Sequence, residues 1–174
     1  MDQIARISSG TPWEPIAGYS RAVRYGDLVA VSGTTATDEH GTIVGAGQMY
    51  VQARQALSNL RSALERMGLG IGNVVRTRMF VTDIGRFADA ARAHRECFGA
   101  TPPATTMVEV RRLVDARMLI EIEADAYAPE PVRSAPEAPV KVSAPVPTAI
   151  AKKRAPAPRK PPKLSAAKKS KRRK

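Results

Sequence analysis

The side chains most able to do chemistry in this sequence are cations gathered at one end. Lys152, Lys153, Arg154, Arg159, Lys160, Lys163, Lys168, Lys169, Lys171, Arg172, Arg173 and Lys174 crowd the last stretch of the chain. Such a run binds DNA or RNA by releasing counterions, with steep salt dependence and little base selectivity. No aromatic residue follows position 128, so stacking on single-stranded bases is not expected. A solubilising extension is the plainer reading of the same run. Elsewhere, Glu121, Glu123 and Asp125 alternate along one strand, the pattern of a solvated face. His40 lies in Asp38-Glu39-His40-Gly41, a turn, and Cys97 reads as a small apolar residue near a helix end. Two histidines and one cysteine at scattered positions do not make a metal site. Arg111, Arg112 and Arg117 flank a turn and read as solvent-exposed.

These groups belong to two segments of different composition. Residues 1–128 hold 14 arginines, no lysine and 14 acidic residues, so that segment is neutral. Residues 129–174 hold 9 lysines and 5 arginines against Glu130 and Glu137, which accounts for the whole net charge of +12. Ten of the 14 prolines also lie there. A segment so poor in large apolar side chains cannot offset the entropy of ordering itself, and 129–174 is expected to be a disordered Pro/Ala/Lys-rich tail on a 1–128 domain. No run approaches 18 uncharged apolar residues and the start Met1-Asp2-Gln3 lacks a signal-peptide pattern, so neither a membrane span nor secretion is expected. The lone Cys97 excludes an internal disulfide and agrees with a reducing compartment. The expected location is cytoplasmic, with nucleoid association if the tail engages DNA.

The neutral segment reads as alternating strands and helices. Gly26-Asp27 is a turn between Arg21–Tyr25 and Leu28–Ser32, giving an early hairpin. From Gln48 to Met67 apolar residues recur every three or four positions, an amphipathic helix of about five turns closed by Gly68. Val74–Val81 reads as a strand, Phe87 to Phe98 as a second helix, and Thr105–Val110 and Met118–Tyr127 as the last two strands. The order β-β-α-β-α-β-β leaves one sheet face for the two helices. In the last strand Met118, Ile120, Ile122, Ala124 and Ala126 face the core, and Leu119, Glu121, Glu123 and Asp125 the other side. That second face calls for a partner, most simply another copy of the chain.

Five blocks in order then resemble the Rid family, the reactive intermediate deaminases also called YjgF-like proteins. They are Gly18-Tyr19-Ser20-Arg21-Ala22-Val23, Gly26-Asp27-Leu28-Val29-Ala30-Val31-Ser32-Gly33, Gln52-Ala53-Arg54-Gln55-Ala56-Leu57-Ser58-Asn59-Leu60, Pro103-Ala104-Thr105-Thr106-Met107-Val108-Glu109-Val110 and Leu119-Ile120-Glu121-Ile122-Glu123-Ala124. The resemblance covers nearly all of 1–128 and none of the tail. It implies a chorismate-mutase-like α/β (α+β) fold and a homotrimer with clefts between subunits. It also implies hydrolysis of enamines and imines to 2-keto acids and ammonia, without metal or organic cofactor. It places Tyr19 and Glu121 in the cleft, Glu121 orienting a water, with Ser32, Gly33, Thr105, Thr106 and Met107 binding substrate.

The chain departs from the family where it matters most. The deaminases carry Arg directly after Pro-Ala, a guanidinium that holds the substrate carboxylate by two parallel hydrogen bonds. Here that position is Thr105. Losing one partner of a buried charged pair costs roughly 2–5 kcal/mol, about 10²- to 10³-fold in binding or rate. The pocket Asn of the deaminases aligns with Ala91, and His94, one turn further along, is a candidate replacement base. Arg111, Arg112 or Arg117 from a neighbouring subunit is a candidate replacement guanidinium. The expectation is a diverged deaminase-like hydrolase or small-metabolite binder, the alternative a trimer acting on nucleic acid through its tails.

Overall fold

The computed structural model describes residues 4–127, all within the unit Met1–Glu137. The basic run 152–174 and the expected boundary at 128 lie outside the described residues. Six strands and three helices follow in the order β1 (Ala5–Ile7), α1 (Trp13–Ala17), β2 (Ala22–Tyr25), β3 (Leu28–Thr34), α2 (Met49–Arg66), β4 (Val74–Val81), α3 (Phe87–Phe98), β5 (Ala104–Glu109) and β6 (Ile120–Tyr127). The strands form one sheet ordered β1-β2-β3-β6-β4-β5, with β4 and β5 parallel and every other pair antiparallel. The β4-to-β5 crossover runs through α3, as a parallel pair requires.

The expected hairpin is present, β2 and β3 joined by Gly26-Asp27 with Gly26 at φ +58°. Helix α2 buries Met49, Gln52, Ala53, Ala56, Leu57, Leu60, Ala63 and Leu64, the spacing of one helical face. It ends where Gly68 takes φ +74° and the Leu69 N–H returns to the Leu64 carbonyl, a left-handed stop that glycine makes without strain. Gln52 is fully buried because both ends of its amide are used: it donates to the Arg117 carbonyl at 2.8 Å and accepts from the Leu119 N–H at 2.8 Å, tying α2 to the entry of β6. In β6, Ile120, Ile122, Ala124 and Ala126 are buried under the helices, while Glu121, Glu123 and Asp125 are half-exposed on the open face. There Arg78 of β4 meets Glu123 at 3.6 Å and Asp125 at 3.1 Å, with Leu28, Val75, Val108 and Tyr127 exposed.

Two elements are additions to the expected order. Strand β1 has three residues and α1 five, both too short for periodicity to register. What holds them is the buried carboxylate of Glu14, which accepts from the Ser8 hydroxyl and from the Ser9 N–H at 2.8 Å and lies 3.8 Å from the Arg21 guanidinium. Burial alone would raise the proton affinity of Glu14, but these donors and the Arg21 charge outweigh it and the pKa is lowered. A lowered folded value means that Glu14 stabilises the fold above the ordinary carboxylate range and stops doing so as pH falls through its folded pKa. Glu14→Gln should therefore cost about 1.5–3 kcal/mol in urea unfolding at pH 7, with the difference from wild type shrinking towards acid pH.

Candidate functional site

Strand β3 does not pair evenly with β6. Val31 opposes Ala124 and Thr34 opposes Ile122, so β3 carries one extra residue in that interval and bulges at Ser32-Gly33. The bulge is pinned by Arg21, 8% exposed, whose Nη1 donates to the Gly33 carbonyl at 2.7 Å and to Thr34 Oγ1 at 3.0 Å. Ser32 is held as well, its N–H on the Arg21 carbonyl and its hydroxyl on the Ser20 carbonyl. Arg21 Nη2 donates to the Tyr19 hydroxyl at 3.1 Å and so fixes the phenol beside the bulge.

Over this bulge lies Glu121. A Cβ built on Gly33 would stand 1.8 Å from Glu121 Oε1 and 2.8 Å from its Cδ. The missing side chain at Gly33 is the space that the carboxyl occupies. Tyr19, Arg21, Ser32, Gly33 and Glu121 line one cavity of about 690 Å³, a volume suited to a small metabolite. Its far wall is the 35–41 segment, which α2 anchors through Asn59, a donor to the Thr35 and Thr37 carbonyls at 3.0 and 2.8 Å. His40 sits exposed in that wall, beside Glu39 at 3.5 Å. Burial, and then the like charge of Glu123, raise the pKa of Glu121, with Arg21 opposing. Gly33→Ala should turn the carboxyl out of the cavity and lower any Glu121-dependent turnover about 10²-fold. The unfolding midpoint should hardly move, because Gly33 lies outside the left-handed region and only a side-chain end must yield.

Thr105 lies elsewhere. It pairs with Thr77, which pairs with Ala124, so its side chain is on the helix-covered face, whereas Glu121 pairs with Phe80 on the open face. Within one chain the Thr105–Met107 stretch and the Tyr19–Glu121 cavity are separate: none of Thr105, Thr106 and Met107 lines that cavity. Strand β5 is an edge strand, exposed over most of its length. The Thr105 hydroxyl hydrogen-bonds Thr77 Oγ1 at 2.6 Å, and Thr77 Oγ1 lies 2.9 Å from His94 Nε2. His94 therefore faces β4, and burial lowers its pKa. Arg117 is committed to Asp115 through Nε at 3.0 Å and Nη2 at 2.8 Å; that pair holds Asp115 at a pKa of about 2, so Arg117 is not a free replacement guanidinium.

The residue that sequence reasoning passed over is Arg21. It stood in a quoted motif, and nothing in the strand pattern told that its side chain would turn back beneath the bulge. Among the described residues no three His, Cys, Asp or Glu side chains come together as a metal site would need, and no helix is long and apolar enough to cross a membrane.

The family model described as Endoribonuclease L-PSP matches residues 10–128. An uncharacterised protein of Streptomyces coelicolor, SCO2049, is 37% identical over 126 residues, spanning 72% of this chain and 93% of that protein. The 2-iminobutanoate/2-iminopropanoate deaminase of Salmonella typhimurium is 38% identical over 114 residues, 64% of this chain and 88% of that enzyme. The crystal structure of Rv2704 from Mycobacterium tuberculosis, a member of the YjgF/YER057c/UK114 family, superimposes with a TM-score of 0.67 at 43% identity, covering 72% of this chain and 100% of that one. Motifs, sheet order and relatives converge, and the chain belongs to the Rid (YjgF, Endoribonuclease L-PSP) family.

Proposed function

We propose that this protein hydrolyses small imine-type or related carbonyl compounds that lack a carboxylate, in clefts shared between copies of the chain. The observation that carries the reading is the separation of two half-sites. Glu121, which stands on the open face, lines one cavity with Tyr19 and the Arg21-pinned bulge, and the Thr105 hydroxyl lies on the opposite face of the same sheet at its β5 edge. A second copy is needed to bring a β5 edge to the cavity. The uncovered sheet face, with its exposed Leu28, Val108 and Tyr127, supports such self-association, and a trimer closes it as in the family.

The chemistry follows from the groups available. Water adds to the C=N carbon and the π pair moves to nitrogen; the carbinolamine then collapses to a carbonyl and releases the amine, which must leave protonated. Glu121 hydrogen-bonds the reacting water; burial raises its proton affinity, which suits it to give a proton to the nitrogen as the π pair arrives and to take one back from the carbinolamine hydroxyl as the amine leaves. Thr105 offers a neutral hydroxyl where the deaminases hold a carboxylate, which disfavours 2-imino acids. The test uses the full chain on two probes. One is 2-iminopropanoate generated in situ, the other benzylidene methylamine, an imine without a carboxylate. The reading expects hydrolysis of the second well above the spontaneous rate and a weak effect on the first. It fails if neither is accelerated, or if the solution mass is that of one chain.

A second reading has its own support in the charge of the tail, 14 cations against 2 acids. Tails gathered by an oligomer would hold DNA or RNA by avidity. Full-length protein should elute from immobilised DNA at markedly higher salt than a full-length variant with the tail Lys and Arg residues replaced by Gln. Equal elution would remove this reading.

A further inference from the structure

A carboxyl that gives its proton to the imine nitrogen cannot in the same step take the one that water must lose as it attacks. Hydrolysis by Glu121 therefore calls for a second group, a base that is unprotonated at the working pH. Beside Glu121, Tyr19 already accepts from Arg21, and Arg21 cannot give up its charge; His40, in the far wall of the cavity, is exposed to solvent beside Glu39 and is not held towards Glu121. The opposite wall ends in a chain of three side chains that none of the chemistry above uses.

Thr105 Oγ1 is 2.6 Å from Thr77 Oγ1, at the short end for two hydroxyls, and Thr77 Oγ1 is 2.9 Å from His94 Nε2. The three differ in exposure in an ordered way. Thr105 is exposed at the edge, Thr77 is fully buried, and the half-buried His94 ring is set by stacking against Phe98, ring centres 4.6 Å apart. A buried threonine hydroxyl with one hydroxyl and one imidazole nitrogen as neighbours can pass a proton without moving a heavy atom. It donates to one side as it accepts from the other.

We propose that Thr105, Thr77 and His94 form a proton relay in which the Thr105 hydroxyl takes the proton of the attacking water at the shared cleft and His94 Nε2 is where that proton comes to rest. The inference rests on the imine-hydrolase reading and names the acceptor that it lacks. In the step, a water O–H bond breaks as its oxygen bonds the imine carbon, and the C=N pair moves to nitrogen, which takes the Glu121 proton. The water proton goes to Thr105 Oγ1, the former Thr105 proton to Thr77 Oγ1, and the former Thr77 proton to His94 Nε2. The ring becomes an imidazolium and, as the C–N bond breaks, returns its proton by the same path to the leaving nitrogen, while the carbinolamine hydroxyl proton passes to the Glu121 carboxylate and restores it. Thr105 is the residue that touches the reacting water, with Thr77 and His94 acting through it.

The surroundings leave His94 free for this. One turn away on its own helix stand Ala90, Ala91, Cys97 and Phe98, of which only Cys97 titrates, and Arg61 of α2 approaches the Cys97 sulfur at 4.0 Å. On β4, Arg76 and Arg78 flank Thr77 towards the open face, and on β5 Glu109 is engaged by the Ile84 N–H at 2.9 Å. Burial is what lowers the ring pKa below the ordinary 6.5, so the ring is neutral near pH 7 and able to accept.

Two measurements on the full chain test the relay. Nitrogen-15 NMR of the two histidines, assigned with His94→Gln, reads the tautomer directly. The relay expects the Nδ1–H form with an unprotonated Nε2, titrating below pH 6.5. An Nε2–H tautomer overturns it, because no proton could then move inward. Hydrolysis of benzylidene methylamine supplies the second readout. His94→Gln and Thr105→Val should each lower kcat about 10²-fold with KM little changed and remove the acid limb of the kcat/KM profile, while Thr105→Ser keeps both. Unaltered kcat and acid limb in His94→Gln overturn the relay even where wild type is active. If wild type accelerates no imine, the hydrolase reading fails and the relay fails as its acceptor, whatever the tautomer; wild-type turnover with an unchanged His94→Gln removes the relay alone.

Discussion

Thr105→Arg is expected to tighten the binding of 2-iminopropanoate by about 10²- to 10³-fold, read as a lower KM, the inverse of the cost of removing one partner from a buried charged pair. The position can take the larger side chain, because β5 is an edge strand and Thr105 is exposed. The guanidinium would supply two parallel hydrogen bonds to the substrate carboxylate. The same substitution removes the Thr105 hydroxyl and its 2.6 Å link to Thr77, so kcat should fall for both imines while KM falls for 2-iminopropanoate alone. Steady-state kinetics on the two probes checks this, and a parallel change of KM for both would argue against a carboxylate-selecting role for the position. This separation of KM from kcat makes Thr105→Arg more telling than an alanine at that site, which removes a hydroxyl and adds nothing.

Glu121→Gln should abolish most activity, by about 10²- to 10⁴-fold in kcat, since an amide cannot donate and recover a proton. It should at the same time stabilise the fold at neutral pH. The folded pKa of Glu121 is raised, first by burial and then by the charge of Glu123. Its ionised form is therefore penalised in the native state: the cost is present above the folded pKa and disappears as pH falls through it. Thermal unfolding across pH should show the variant above wild type at pH 7 and the two curves meeting under acid conditions. A loss of both activity and stability would mean that the carboxylate is a structural ligand of the bulge rather than a group kept there at a cost.

Much of the fold was legible in order and type. The hairpin at Gly26-Asp27, the five-turn helix stopped by Gly68 and the alternation of β6 each follow from a local period or a turn residue, and each is present. Strand β1 and helix α1 were not legible, because three and five residues carry no period. Their place depends on Glu14, a single carboxylate whose donors come from Ser8, Ser9 and Arg21. The site divides in the same manner. Glu121 on the open face was readable from strand alternation, and Thr105 from the motif it interrupts. That a bulge at Ser32-Gly33 makes room for the Glu121 carboxyl, and that a buried Arg21 holds the bulge, could not be read from spacing. Both depend on a register shift between strands some 90 residues apart in the chain, which is tertiary information.

By itself, then, the sequence determined a neutral stretch followed by a cationic one, the order of the longer elements and the family, with Thr105 where the resemblance leads one to expect an arginine, since composition, period and motif are properties of neighbouring residues. Only the tertiary structure decided that Thr105 and Glu121 stand on opposite faces of one sheet, that Arg21 is spent on pinning a bulge, and that His94 reaches Thr105 through Thr77. Those relations arise where strands and helices distant in sequence are brought within hydrogen-bonding range, and no local pattern encodes that distance.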